Sequence, residues 1–137
     1  MQTREIELTT AARQGLFDIT GACVAFLEEV ADGADGLLHV FVPHATAGAV
    51  IMELGSGSDA DLLDALDRLL PRDDRWRHAH GSPGHGADHV LPLLVPPAVS
   101  LPVVGGRMTL GTWQSVAVLD RNPDKAGRRV RLSFLRG

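Results

Sequence analysis

Six histidines dominate the residues that could carry chemistry, and four of them fall within a dozen positions of one another: His78, His80, His85 and His89. Imidazole is a common ligand for zinc and similar ions, and a site with three histidines leaves a coordination position for water or substrate. The spacing does not match a motif such as His-Glu-x-x-His, and Cys23 is the only cysteine. The cluster indicates either a metal site or a polar loop that is merely rich in histidine.

A carboxylate at the end of an apolar strand is a second candidate. Glu53 follows the apolar run that begins at Gly48, and burial at such a place raises a carboxyl pKa as general acid–base catalysis requires. An exposed charge at a strand end is the alternative interpretation. Asp59 and Asp61 fit best as acidic residues in the first turn of a helix, although they could also hold a hydrated cation.

Two glycine-containing blocks offer groups that suit a phosphorylated ligand. Gly105-Gly106-Arg107 predicts a tight hairpin turn, and its free amides beside a guanidinium would also bind a phosphate. Gly111-Thr112-Trp113-Gln114 presents a hydroxyl, an indole and an amide in consecutive positions, and in a strand Thr112 and Gln114 would share one face. Their spacing does not identify a ligand, and no nucleophile motif, Walker loop or dinucleotide fingerprint competes with them.

These candidates must be positioned by strands and helices that the hydrophobic pattern predicts. Strands are expected around Ile6–Leu8, at a short segment before the first helix, and over Leu37–Val42, Gly48–Leu54, Val99–Val104, Arg107–Asp120 with a bend at Gly111, and Arg128–Leu135. Helices are expected from a Thr20 cap to Val30, from a Ser58 capping box to Pro71, and over a short stretch near His89–Leu94. The segment Pro71–Pro97 is too long for a plain connection, which favours a functional role.

This order of elements lacks the regular strand–helix alternation of a doubly wound sheet. It predicts an α+β fold with a mostly antiparallel sheet or sandwich and two to three helices, in one domain over residues 1–137. The modest core that 137 residues can build favours self-association.

Composition excludes several classes of protein. Hydrophobic residues make up 45% and charged residues 22% of the chain, the net charge is −4, and no apolar stretch is long enough to cross a bilayer. We therefore expect no nucleic-acid partner and no membrane association, and the absence of a leader pattern at Met1 predicts a cytoplasmic protein. The locally basic tail, Arg121–Arg136, is expected to be a solvated strand end, and a small phosphate ligand is the alternative.

Several motifs occur in an order that resembles one family. They are His44-Ala45-Thr46-Ala47-Gly48, Glu53, Asp59-Ala60-Asp61-Leu62, Trp76-Arg77-His78, Asp88-His89, Ser100-Leu101-Pro102-Val103, Gly105-Gly106-Arg107 and Leu110-Gly111-Thr112-Trp113-Gln114. Their types and order resemble the YjbQ-like family, also called secondary thiamine-phosphate synthases. The resemblance covers nearly the whole chain, and the Leu-Gly-Thr-Trp-Gln block is its most specific part.

The resemblance implies an α+β fold around an antiparallel sheet, a homotrimer, and a polar pocket that contains histidines. It also implies weak thiamine phosphate synthesis, in which hydroxymethylpyrimidine diphosphate and thiazole phosphate are joined with release of pyrophosphate. His44, His78 and His89 match the family's histidine positions, and Glu53 matches its acidic position. Where the family has asparagine, this chain has His85, which is a departure inside the expected pocket.

The leading hypothesis is a transferase that uses a divalent metal, with zinc preferred for imidazole ligands and magnesium considered for pyrophosphate chemistry. In it His44, His78 and His89 bind the metal or donate to phosphate oxygens, and Glu53 manages protons in catalysis with His44 and His89. A phosphorylated metabolite would be bound by Thr46, Arg107, Thr112 and Gln114. The alternatives are a trimeric binding protein for a phosphorylated metabolite, without turnover, and a metal-dependent hydrolase in which Glu53 is the base.

Overall fold

Eight strands form two antiparallel sheets in the computed structural model, which describes all residues from Met1 to Gly137. The strands are β1 (Gln2–Thr9), β2 (Gly15–Asp18), β3 (Gly36–Phe41), β4 (Ala47–Met52), β5 (Ala98–Val104), β6 (Arg107–Met108), β7 (Ser115–Asp120) and β8 (Gly127–Arg136). The large sheet has five strands in the order β1-β8-β3-β5-β6, and the small sheet has three in the order β2-β7-β4.

Three helices accompany the sheets: α1 (Thr20–Val30), α2 (Ser58–Leu69) and the short α3 (His85–Asp88), with a single 3-10 turn at Leu91–Leu93. The predicted α+β class with antiparallel sheets is confirmed. None of the helices is long and apolar enough to span a membrane.

The main core lies between the two sheets and α1. Strand β8 alternates as a half-buried strand should, with Val130, Leu132 and Phe134 turned inward. Helix α1 covers them with Phe26 and Leu27, which are both 2% exposed. Burial of such large side chains stabilises each by about 1.5–3 kcal/mol relative to exposure, so α1 and the sheets hold each other in place.

A second, smaller core fixes the segment from Pro71 to Pro97. Leu66 of α2, Leu70 directly after it, Leu91 and Val95 of the segment, and Leu119 of β7 belong to one buried cluster. The segment is thereby attached to the small sheet at both of its ends, and the histidines that it carries are held close to β7.

Both predicted helix caps are wrong. Thr20 is the first residue of α1 and not its cap, because its hydroxyl accepts a hydrogen bond from the Val116 amide at 2.9 Å. The Ser58 capping box does not form either: Gly57, in a left-handed conformation, precedes α2 and no side chain caps it.

The predicted strand Arg107–Asp120 is in fact two strands in different sheets. Strand β6 pairs with β5 in the large sheet, whereas β7 pairs with β2 and β4 in the small one. Between them the chain turns, and Gln114 Oε1 accepts a hydrogen bond from the Gly111 amide at 2.9 Å. Thr112 and Gln114 therefore lie in a turn and do not share a strand face.

Candidate metal centre

The segment that carries the histidines folds tightly because two glycines allow close approach. Gly84 has a φ of +79°, and a Cβ there would lie 2.5 Å from the Cβ of Arg72. A Cβ on Gly86 would lie 2.5 Å from the carbonyl oxygen of His78. Side chains at either position would push apart the two arms of the segment. The result is a compact loop that encloses a cavity of about 230 Å³.

Four imidazoles converge at this loop. The ligand nitrogens of His78, His80 and His85 lie within 4.8 Å of one another. His89 is adjacent, because its Nε2 lies 2.9 Å from Nε2 of His85 and its ring centroid lies 4.1 Å from that of His78. Nitrogens bound to one tetrahedral zinc ion are about 3.4 Å apart, given bond lengths of about 2.1 Å. Small side-chain rotations would bring three of these nitrogens onto one ion, so the donor set fits a divalent metal.

The electrostatics of the cluster favour neutral imidazoles. Burial lowers the pKa of His85, and the charges of His80 and His78 lower it further, although Asp124 acts in the opposite sense. Burial also lowers the pKa of His89, with a further contribution from His78 and His85. Neutral imidazole is the form that binds a metal, so both side chains are ready to act as ligands at neutral pH.

An internal ion network lies behind the cluster. Asp88 is completely buried, and Nη1 of Arg72 donates to both of its carboxylate oxygens at 3.0 Å. Burial raises the pKa of Asp88 to about 6 even though Arg72 and Arg121 lower it. Arg121, which is 1% exposed, pairs with Asp67 of α2. These contacts join α2, α3 and the end of β7 into one support for His85 and His89.

His44 lies outside this cluster within the single chain. It sits between β3 and β4, and its Nε2 accepts a hydrogen bond from the Arg129 amide of β8 at 2.9 Å. Burial, together with the nearby charge of Arg128, lowers its pKa. Of the three predicted metal ligands, the structure therefore brings together His78 and His89, and it adds His80 and His85 where His44 was expected.

The other predicted residues divide between the two ends of the small sheet. The antiparallel register places Ala47 opposite Asp120 and Met52 opposite Ser115. His44 and the buried Thr46 precede Ala47 and thus lie at the Asp120 end, which we call the histidine end.

Glu53, Thr112 and Gln114 lie at the opposite end, which we call the Gln114 end. Glu53 follows Met52, and the turn that contains Thr112 and Gln114 precedes Ser115. All three residues are exposed. A strand of this length spans roughly 17–20 Å, which is too far for one ligand to touch both ends with short polar contacts.

Arg107 belongs to neither end. It lies at the start of β6 and lines a cavity of about 540 Å³ beside α1. The predicted hairpin turn forms at Gly105-Gly106, between β5 and β6. The alternative, a phosphate bound by its free amides, does not fit this turn, because Gly105 donates to Asp35 Oδ1 at 2.8 Å and Gly106 to the carbonyl oxygen of Ala34 at 3.0 Å. This cavity is larger than the one at the histidines, but it holds no comparable set of metal-binding groups.

Sequence reasoning missed the carboxylates that surround the cluster. Asp88 was recognised only as the neighbour of His89, and Asp124 of the β7–β8 turn was not considered. Asp124 lies 39 positions beyond His85, so no local spacing connects the two residues. The Asn122-Pro123-Asp124 turn is the one available signal, and it indicates a turn but not its neighbours.

Known proteins resemble this chain in sequence and in fold. A family model described as UPF0047 protein YjbQ-like matches residues 4–137. The UPF0047 protein Rv2556c of Mycobacterium tuberculosis is 56% identical over 137 residues, which cover 100% of both chains. A UPF0047 protein of Archaeoglobus fulgidus is 33% identical over 126 residues, covering 92% of this chain and 96% of its own. The crystal structure of hypothetical protein APE1520 from Aeropyrum pernix K1 matches with a TM-score of 0.90 at 29% identity and covers 100% of both chains.

Proposed function

The chain belongs to the YjbQ-like UPF0047 family, as its motifs predict, and on this premise we propose that it is a divalent-metal-dependent transferase for small phosphorylated metabolites. The observation that carries the proposal is the convergence of His78, His80 and His85 within 4.8 Å, with His89 beside them. The specific reaction is the one that the resemblance implies. The thiazole nitrogen attacks the pyrimidine methylene carbon, a C–N bond forms, the C–O bond to the diphosphate breaks, and pyrophosphate leaves.

Zinc is the metal that we propose, because all four converging donors are imidazole nitrogens. Magnesium prefers oxygen ligands, so a set of imidazole nitrogens disfavours magnesium. When bound, the ion would supply positive charge for the departing pyrophosphate. The chain itself supplies a rigid, partly enclosed site, because the buried Asp88 network keeps His85 and His89 in place.

The distribution of the predicted residues supports assembly of the site from more than one copy. Thr46, His44 and the cluster lie at the histidine end, whereas Glu53, Thr112 and Gln114 lie at the Gln114 end. We propose that the homotrimer implied by the resemblance places the Gln114 end of one copy against the histidine end of another. Glu53 would then manage protons, and Thr112 and Gln114 would orient a substrate bound by a neighbouring copy.

Subunit mixing tests this shared site. Chains with His85→Ala and chains with Gln114→Ala are each expected to be inactive, and hybrid assemblies of the two should regain activity because some interfaces combine two intact ends. Activity that stays absent in verified hybrids, while wild-type hybrids prepared in the same way are active, would show that the two ends do not share a site.

Metal-dependent hydrolysis is a second candidate, because three imidazoles leave a coordination position for water. Its predicted base, Glu53, lies at the Gln114 end, so this reaction also needs a second copy. A binding protein without turnover remains as the third hypothesis, and the assay below separates all three.

The decisive assay is thiamine phosphate formation from the two purified precursors by zinc-loaded protein. We expect product with wild type, a loss of at least about 100-fold with His85→Ala or with chelator, and no comparable loss with His39→Ala. His39 is a matched control, since its Nδ1 is hydrogen-bonded to Ser100 Oγ at 2.8 Å on the large sheet.

Other outcomes assign the other functions. No product from wild type, at enzyme levels comparable to substrate, would contradict the transferase. Phosphate release in that case would indicate the hydrolase, and thermal stabilisation by the precursors without any turnover would indicate the binding protein.

A further inference from the structure

We propose that Asp124, backed by the buried Asp88, positions His85 by accepting a hydrogen bond from its Nδ1 and so directs its Nε2 toward the metal. This inference rests on the metal site proposed above and deepens it. It assigns a role to His85, the residue at which this chain departs from the expected asparagine, and to a carboxylate on a distant turn.

The environment of the His85 ring supports this orientation. The residue is 7% exposed, and its Nδ1 is buried without a hydrogen-bond partner within normal limits. Asp124 Oδ2 lies 3.5 Å from Nδ1 and Asp88 Oδ2 lies 3.9 Å from it. The opposite side of the ring faces the cluster, where Nε2 lies 2.9 Å from Nε2 of His89. One nitrogen thus points to carboxylates and the other to the remaining imidazoles.

Metal-binding histidines usually donate their second ring N–H to a carboxylate or carbonyl, which fixes the tautomer and raises the basicity of the ligand. A proton on Nδ1 of His85 leaves the Nε2 lone pair free, as coordination requires. A shift of a few tenths of an ångström would close the 3.5 Å separation into a hydrogen bond, and it would also satisfy the buried Nδ1.

Asp124 is better placed than Asp88 for this role. Its Oδ2 lies closer to Nδ1 of His85, at 3.5 Å against 3.9 Å for Asp88 Oδ2, and both oxygens of Asp88 already accept from Arg72 at 3.0 Å. Asp124 is held in position by two backbone contacts: its amide donates to Asn122 Oδ1 at 2.8 Å, and its Oδ2 accepts from the Ser82 amide at 3.2 Å.

Gly81 is independent evidence that the Asp124 carboxylate and the His85 ring are close together. With a φ of +84°, it adopts a conformation that disfavours other residues. A Cβ at this position would lie 2.9 Å from the His85 ring and 3.0 Å from Asp124 Oδ2. The chain therefore has no side chain at the point where one would separate the carboxylate from the imidazole.

Zinc affinity, measured by competition with a chromophoric chelator, tests the inference without relying on activity. We expect Asp124→Ala to weaken zinc binding by about 10- to 100-fold and Asp124→Glu to regain part of it. The control is Asp74→Ala, which removes a carboxylate from the lining of the same cavity but makes no ion pair with His85. It should change affinity less than about threefold, as expected for an exposed charge.

If Asp124 positions His85, its removal must change which ring nitrogen of His85 carries the proton. Nitrogen-15 NMR of the zinc-bound protein is expected to show His85 protonated at Nδ1 in wild type, with that proton lost from its hydrogen-bonded position in Asp124→Ala. If Asp124→Ala does not fold, Asp124→Leu, which has a similar size and no hydrogen-bond acceptor, replaces it in both measurements.

The outcomes separate this inference from the proposed function. Wild type that binds zinc, together with an Asp124→Ala protein that binds it equally tightly, would overturn the positioning role and leave the metal site intact. Wild type that binds no zinc would overturn both.

Discussion

The two ends of the small sheet differ in how firmly their polar residues are held. At the histidine end, Asp88, Asp120, Arg121 and Arg128 are all at most 3% exposed and are linked by ion pairs. At the Gln114 end, Glu53, Thr112 and Gln114 are exposed, and two short-range hydrogen bonds between Gly111 and Gln114 order the turn. One end holds its polar side chains in buried ion pairs, and the other leaves them exposed.

The family motifs predict one site from the sequence. In a single chain, their residues lie at two separate ends of the small sheet. Buried charges are costly unless they are paired, and at the histidine end Asp88 pairs with Arg72 while Asp120 pairs with Arg128. The metal centre proposed above would need side chains that are fixed in this way. The exposed residues of the Gln114 end have no such paired charges, and their turn is held by bonds between Gly111 and Gln114.

Removing the cation of the buried pair Asp120–Arg128 should give the largest effect. Nε of Arg128 lies 2.6 Å from Asp120 Oδ2, and both side chains are at most 2% exposed. Arg128→Met leaves a buried carboxylate without its partner, so we expect a loss of about 3–5 kcal/mol in the free energy of unfolding. Denaturant titration measures it. Arg131→Met on the same strand is the control, because its exposed pair with Glu5, at 3.4 Å, contributes at most about 1 kcal/mol.

The next effect concerns Asp88 and pH. Its pKa is about 6 in the folded protein and 3.8 as the reference value, so the folded chain binds more protons between those pH values. Its contribution therefore makes the protein less stable as pH rises from about 4 to about 6, by about 1–3 kcal/mol. Asp88→Asn lacks this titration. The stability of wild type minus that of the variant should fall over this range, and a difference that rises with pH would contradict the account.

The smallest effects are expected at and beyond the Gln114 end. Gln114→Ala removes one exposed hydrogen bond, which is worth at most about 1 kcal/mol. Arg107→Met removes an exposed side chain without an ion pair and should change the free energy of unfolding by less than about 0.5 kcal/mol. Losses as large as that of Arg128→Met, measured under the same conditions, would abolish the distinction between the ends.

Much of the fold could be predicted because its strands and helices carry regular patterns. The alternation in β1 and the leucine stripe of α2 indicated both elements from local residues alone. The division of Arg107–Asp120 between two sheets could not be predicted, since the pattern of a strand does not say which neighbour it pairs with. The turn at Gly111–Gln114 was expected only as a bend.

The sequence predicted which residue types form the candidate site, but it did not predict their positions in space. The histidine cluster was visible in the sequence, whereas its ligand set depends on how the loop folds back on itself. Arg121 and Arg128 were expected in a solvated tail, yet both are buried, because Asp67 and Asp120 reach them from other elements. Such long-range pairing has no local signature, so the charge network was invisible until the fold was known.

Zinc content per chain tests the central claim most directly, namely that the metal site is formed by His78, His80 and His85. Wild type, His85→Ala and His44→Ala would be loaded with zinc, desalted and analysed by elemental mass spectrometry. We expect about one zinc per chain in wild type and in His44→Ala, and a clear deficit in His85→Ala. Retention of zinc by His85→Ala together with its loss from His44→Ala would contradict the account and favour a site of His44, His78 and His89.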